Sequence, residues 1–308
     1  MKTRRILITG VAGFIGSRVA ERFLKEGYHV VGIDDLSSGY EANIPTGVDF
    51  IQGDLACSAT IRSLPQDCSQ ILHLAGQSSG EISFDDPVAD LNKNTVSTLN
   101  LIRYGIENQI ERMVYASSMS VYGAVDDEPI AENHSCLPIS CYGVGKHAAE
   151  NYLQVYKDKL PSVILRMFNI YGPGQDMCNL RQGMVSIYLA QALSDGQVEV
   201  KGSIKRFRDF IYIDDVVEIW WRAATYPSAI GKVLNVGTGA RTEVKELLER
   251  ICHLVPGSDY VVKGQTSGDQ PGIYADTKQL SLCLGFGAFT SLVAGLNQFW
   301  EWARFSQK

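Results

Sequence analysis

None of the seven cysteines (57, 68, 136, 141, 178, 252 and 283) stands in a CxxC pair, and their number is odd. A disulfide framework and a zinc site are thereby disfavoured, no metal is expected, and a reducing, cytoplasmic setting fits best. Lysine and arginine form no block and the formal net charge is −6, which argues against a protein that wraps nucleic acid. No run is long and apolar enough to span a bilayer, so no membrane partner is expected. The opening stretch MKTRRILITGVAGFIG imitates a secretory signal, yet Thr9, Gly10 and Gly13 interrupt its apolar core and charged SRVAERFLKEG follows. Internal repeats and low-complexity tracts are missing too. What is present is an ordinary globular balance: 45% apolar and 20% charged residues over 308 positions, room for two domains or one large α/β unit.

Strand-like and helix-like segments alternate through the first half. RRILITG (4–10), YHVVGID (28–34), VDFIQGD (48–54), SQILHLAG (69–76) and ERMVYASS (111–118) read as strands, and SVILRMFNIYG (162–172) as a further one. Helical spacing covers 14–26, a long stretch from about 87 to 107, and a segment opening near Tyr142. Strict alternation with continuous β-branched runs predicts a parallel sheet covered on both faces, a Rossmann-type doubly wound α/β fold. After Gly172 the texture changes, because PGQDMCNLRQG (173–183) is rich in turn formers and shorter elements follow. Residues 1–173 are expected to bind a dinucleotide. Residues 174–308 are expected to form mainly a smaller α/β substrate lobe, with some segments returning to the main domain.

Between the first strand and first helix, ITGVAGFIGSRVAE sets Gly10, Gly13 and Gly16 in a GxxGxxG spacing, with Phe14 and Ile15 opening the helix. Glycine permits the tight turn and lets a phosphate approach the backbone, and the helix N-terminus supplies aligned N–H groups. Asp34 closes the second strand 24 residues beyond Gly10, where a carboxylate can accept from adenosine ribose hydroxyls. Its ordinary alternative is a turn residue in DDLSSG, whose Asp35, Ser37, Ser38 and Gly39 join the candidate cofactor set. No Arg or Lys lies in 33–40 to hold a 2′-phosphate, which favours NAD(H) over NADP(H). Asp54 and Leu55, after the third strand, could meet the adenine edge or simply make a turn. Leu74, Ala75 and Gly76, ending the fourth strand, would lie against the cofactor's middle.

In SCYGVGKHAAE (140–150), Tyr142 and Lys146 stand at i and i+4 and share one helix face. A free phenol has a pKa near 10, so acting as a base near pH 7 requires roughly 4 kcal/mol. A helix N-terminus supplies only ~0.3–1 kcal/mol, whereas a lysine charge at about 4 Å and an effective dielectric near 20 supplies ~4 kcal/mol. Tyr142 is therefore expected to be a general base whose proton affinity Lys146 sets. Ser118, ending the fifth strand in YASSMSVYG, can bind the reacting oxygen and share its proton with the phenol, and Ser117 and Ser120 are near enough to be confused with it. The ordinary alternative is a surface tyrosine beside a solvated lysine, since YxxxK is common by chance.

Together GVAGFIG, the acid after strand 2, HLAG, SSMSVYG, YGVGK, RMFNIYGPGQ and RFRDFIYIDDV resemble the extended short-chain dehydrogenase/reductase family, in its NAD-dependent nucleotide-sugar epimerase/dehydratase branch. The resemblance runs over essentially the whole chain and is closest to UDP-glucose 4-epimerases. It implies bound NAD, a nucleoside-diphosphate sugar, most often a UDP-sugar, and a homodimer through the helices near 87–107 and from 142. It also implies a cycle in which Tyr142 takes the proton of the sugar 4-hydroxyl, a 4-keto sugar forms, and hydride returns to its other face. Ser118, Tyr142 and Lys146 match the family's catalytic Ser, Tyr and Lys. Asn94, Ser117 and Phe168 are implied on the cofactor side. On the substrate side stand Ser78, Asn169 at the diphosphate, Asn179 at the nucleotide, Arg208 gripping phosphates, Asp269 at the nucleoside ribose, and Ile273, whose size bears on whether an N-acetyl group fits.

Asn169 could otherwise be a strand-end turn residue, and Arg208 an exposed salt bridge to Asp209 or Asp214. The sequence departs from the family where an arginine commonly precedes Gly-Asp: GQTSGDQPGIYAD (264–276) has Thr266 and Ser267, so Arg181, Arg206 or Lys263 would have to supply that phosphate contact. Dehydratases of the branch carry an acidic pair beside the catalytic hydroxyl, and here Ser118-Met119-Ser120 has none. Other epimerases of the class, acting on uronic acids or N-acetyl sugars, stay open, as do a reductase, a dehydratase and a catalytically silent NAD-binding protein.

Overall fold

The computed structural model describes residues 4–181, 183–264 and 271–306. Strand β1 (Arg5–Thr9) buries apolar Ile6, Leu7 and Ile8 and ends on buried Thr9, in the interior of the sheet. Helix α1 (Phe14–Lys25) buries Val19, Ala20 and Phe23 and places Arg22 and Lys25 in its last turn, where they suit the helix dipole. Strands β2 (His29–Asp34), β3 (Asp49–Gln52), β4 (Gln70–His73), β5 (Arg112–Ser118) and β6 (Ser162–Met167) follow, separated by helices. With a strand at 233–236 they form one seven-stranded parallel sheet. The two halves wind away from the neighbours β1 and β4, so the strand order reverses between them and opens a crevice at their carboxyl ends.

One sheet face packs on α1, on Ile213–Thr225 and on Lys278–Leu284; Trp220, Phe23 and Leu280 are central there. The other face is covered by Leu101, Ile102, Ala149 and Leu153 from two helices. Segments from beyond residue 174 thus join both the main sheet and its helical layer. Among the described residues, no helix is long and apolar enough to cross a membrane.

Two expected elements are interrupted. The stretch 87–107 runs as α2 (Pro87–Leu91), a π turn at Asn92–Val96, and α3 (Ser97–Glu107), the π turn carrying an extra residue where Asn94 turns inward. The stretch 162–172 changes partners at Phe168: Phe168 N–H donates to Val236 O at 3.0 Å in the main sheet, and Asn169 N–H to Asp209 O at 3.1 Å. Strand β7 (Asn169–Tyr171) then pairs with Phe210–Tyr212, which starts the second lobe. That lobe has its own core of Tyr188, Leu189, Val198, Leu247 and Phe299.

Candidate active site

The crevice at the β1/β4 reversal holds a cavity of about 440 Å3. Its floor is the glycine turn. Gly10 has φ +71, and an added Cβ would lie 2.7 Å from Ala75 N; a Cβ on Gly16 would lie 1.9 Å from Gly10 O. Turn, strand and helix meet too closely here for any side chain, which leaves the first N–H groups of α1 facing the cavity.

Asp34 is buried, and its carboxylate accepts from Ala12 N–H at 3.0 Å and Leu36 N–H at 2.9 Å. It therefore ties the glycine turn to the loop after β2 and keeps lone pairs for a ribose; burial raises its pKa, with those N–H bonds opposing. Asp35, Ser37, Ser38, Gly39, Asp54, Leu55, Leu74, Ala75, Gly76, Phe14 and Ile15 all line this cavity. So does Lys93, which no local pattern announces: its ammonium lies 2.5 Å from Ser37 Oγ and 3.5 Å from Asp35.

Tyr142 and Lys146 lie on α4 (Cys141–Val155), whose N-cap Ser140 accepts from Gly143 N–H. Both side chains are buried and line the cavity. Lys146 Nζ donates to Ala116 O at 2.9 Å and lies 5.8 Å from the centre of the Tyr142 ring. The electrostatics differ from the simple expectation. Burial pushes the Tyr142 phenol up to about 12, opposed by its hydrogen bond with Ser118, and burial pushes the Lys146 amine down to about 8. Lowering the phenol toward neutrality therefore requires the charged lysine and a further cation together; an oxidised nicotinamide held in this cavity would supply one.

A second cavity, also about 440 Å3, shares Phe14, Ile15, Ser78, Tyr142, Met167 and Gln175 with the first. Tyr142 stands at the junction. Ser117, Ser118, Phe168, Asn169, Arg181, Arg206 and Arg208 line this second cavity, together with Lys201 and Tyr188, which the sequence reading missed. Burial beside Arg206 brings the Arg208 guanidinium down to about 10. The exposed ion pairs considered for Arg208 are not formed: Asp214 pairs with Arg18, and Asp209 accepts from Thr238, Gly239 and Ala275.

Several expected residues are placed differently. Ser117 lines the second cavity rather than the first, and its hydroxyl is already engaged, donating to Glu150, which Arg166 holds in a buried pair. Asn94 lines neither cavity but abuts Gly76 from behind. Asn179 lines the first cavity, not the second. Ile273 is fully buried among Val121, Tyr122, Ile130 and Phe168, packed behind Phe168 and away from either cavity. Lys263 pairs with Glu199 at 2.5 Å and lines neither. Asp269 lies outside the described residues. His73 of ILHLAG, by contrast, is the packed core histidine that its apolar neighbours suggest, bonded to Thr9 and Thr98 and kept neutral by burial.

The UDP-glucose 4-epimerase of Mycolicibacterium smegmatis is 35% identical over 264 residues, covering 83% of this chain and 84% of that protein. The crystal structure of a Thermotoga maritima UDP-glucose 4-epimerase with UDP-glucose matches 99% of this chain and all of its own at TM-score 0.94 and 31% identity. A Bacillus cereus UDP-glucuronic acid 4-epimerase, crystallised with UDP-glucuronic acid and NAD, matches 98% of this chain and 99% of its own at TM-score 0.90 and 27% identity. Residues 6–237 fit the model of a single family. With the glycine turn, the ribose-side carboxylate and the phenol–ammonium pair in one crevice, the chain belongs to the NAD dependent epimerase/dehydratase family, and its cofactor is NAD.

Proposed function

We propose that this chain is an NAD-dependent nucleotide-sugar 4-epimerase that interconverts UDP-glucose and UDP-galactose. The carrying observation is the position of Tyr142: buried, with the Ser118 hydroxyl favouring its ionised form, four residues from Lys146, and common to both cavities. When bound, NAD would supply a reversible acceptor for the hydride at sugar C4. Gly10, Gly13 and Gly16 would hold its pyrophosphate, Asp34 its adenosine ribose, and Lys146 with Ala75 and Gly76 its nicotinamide end.

The remaining work falls to this chain. Arg206, Arg208 and Lys201 line the far part of the second cavity and suit a diphosphate, with Asn169 beside them. Ser118 binds the 4-oxygen, and Tyr142 takes its proton. While the 4-keto sugar turns in the cavity, the phenol holds that proton; it then returns the proton to the 4-oxygen as hydride is delivered to the other face of C4. Elimination would need a carboxylate near the sugar. Among the described lining residues only Glu81 and Glu199 carry one, and each is paired, with Arg181 and Lys263. This supports epimerisation over loss of water. A UDP-uronic acid substrate is the second reading, supported by the likeness to the Bacillus cereus enzyme.

The division near residue 173 into cofactor and substrate lobes belongs to the same proposal, as does a cytoplasmic homodimer. Val88 and Leu91 on α2 and Val144, Tyr152 and Val155 on α4 stand exposed on two helices that pack together, which supports a contact there.

The test is incubation of the purified protein with UDP-glucose or UDP-galactose and chromatography of the products. Approach to one mixture from either side, without consumption of added NADH, is expected. Stoichiometric oxidation of NADH would indicate a reductase, and no conversion of any nucleotide sugar would favour a silent binder.

A further inference from the structure

Behind Lys146 lies a buried polar cluster that the cycle above does not use. Asp90, on α2, is 2% exposed. Its Oδ1 accepts from Asn94 Nδ2 at 3.1 Å. Among the described residues neither Asp90 Oδ2 nor Asn94 Oδ1 has a hydrogen-bond partner. Helix α2 packs on α4 at Gly145, where an added Cβ would lie 3.4 Å from Asp90 Oδ2. On the cavity side, a Cβ at Gly76 would lie 2.5 Å from Asn94 Oδ1 and 3.3 Å from Lys146 Nζ. Asn94 thus links the two charges: its Nδ2 donates to the Asp90 carboxylate, and its Oδ1 shares the approach to Gly76 with the Lys146 ammonium.

The charged and titratable groups facing Lys146 are few. Tyr115 on β5 has its ring centre 5.1 Å from Nζ, and burial raises its pKa well above the ordinary value. Tyr142 is a neutral phenol at neutral pH, and His73 on β4 is held neutral by burial. Glu150, on the same helix as the lysine, is committed to Arg166 at 2.7 Å and to Ser117. Asp90 is therefore the carboxylate left to match the lysine. Burial pushes its carboxyl up to about 6, with Lys146 opposing, so it is ionised at pH 7–8. Lys146, near 8, needs that support to remain charged there.

We propose that Asp90 is a positioning residue that keeps Lys146 cationic at working pH, and thereby sets the alkaline limit of proton transfer by Tyr142. The proposal deepens the epimerase reading and rests on it for the rate readout alone.

Asp90→Asn tests it, because an amide oxygen still accepts from Asn94 while the charge is gone. The alkaline limb of the kcat–pH profile for UDP-galactose should move down by about one unit or more, the effect expected of a close opposite charge. Tm at pH 7 should equal or exceed that of the parent, since a carboxyl raised by folding weakens the fold as pH climbs past its usual value. An unmoved limb, or one that moves up, overturns the proposal. A lower Tm with an unmoved limb would identify Asp90 as a structural acceptor only. Should the parent convert no UDP-sugar, the epimerase reading falls, and Asp90 is then judged on NAD+ affinity measured by calorimetry across pH. A downward shift of that alkaline midpoint in Asp90→Asn keeps its role, and coincident curves end it.

Discussion

Replacing Lys146 with methionine removes the ammonium while keeping an unbranched side chain only one atom shorter. The charge lies 5.8 Å from the centre of the Tyr142 ring, where it is worth roughly 3 kcal/mol at an effective dielectric near 20. That corresponds to about two pH units of phenol acidity. Burial already pushes the phenol up to about 12, so a reaction that needs it as a base near neutrality has little reserve. Lys146→Met should lower kcat by about 100-fold at pH 7 and raise the acidic limb of the profile by about two units. Stability should move the other way. The lysine is held at about 8 in the folded chain, below its ordinary value, so its burial penalty is fully present below pH 8. The penalty shrinks as pH rises toward the unfolded value of ~10.4 and is absent above it. Lys146→Met should therefore raise Tm at pH 7, by no more than about 3 kcal/mol of stability, and lose that advantage in strong alkali. The assay is conversion of UDP-galactose followed by chromatography over a range of pH, with thermal melts on the same samples. A loss of activity under about threefold, with both limbs unmoved, would refute the electrostatic role.

Three other outcomes follow from the same geometry. Tyr142→Phe should keep NAD bound and lower turnover by about 1,000-fold, and a near-parental rate would remove the phenol from the mechanism. Gly16→Ala forces a Cβ to 1.9 Å from Gly10 O, so thermal melts should show a loss of at least about 1–3 kcal/mol and weaker NAD retention; a parental melt would mean strand and helix can separate cheaply. Glu150→Gln breaks a buried pair with Arg166 and should cost about 3–5 kcal/mol in urea unfolding at pH 7. Burial opposes ionisation of Glu150, but His147, Arg166 and Ser117 together hold its pKa below the ordinary range. Its contribution is thus present above that range and lost as pH falls through the lowered value, so parent and variant should converge in acid.

The parts legible in the sequence are those whose physics is local. Gly10, Gly13 and Gly16 mark their turn by spacing, β-branched runs announce the parallel strands, and Tyr142 and Lys146 share a face because they are one turn apart. Residues brought in by tertiary packing were not legible. Lys93 reaches Asp35 and Ser37 across 56 positions or more, and Lys201 and Tyr188 arrive from the second lobe. The π turn at 92–96 leaves the apolar periodicity of 87–107 nearly intact while it redirects Asn94. The change of sheet at Phe168 is invisible because both halves of SVILRMFNIYG are good strand formers. Proximity along a helix also suggested the wrong balance at the phenol, since spacing reports a lysine nearby but not how deeply both groups are buried.

The most direct measurement is conversion of UDP-glucose in deuterium oxide, with the product read by proton NMR. A hydride kept on enclosed NAD and a proton passed through Tyr142 predict UDP-galactose that still carries protium at C4 and C5. Deuterium at either carbon, or no UDP-galactose at all, would contradict the account.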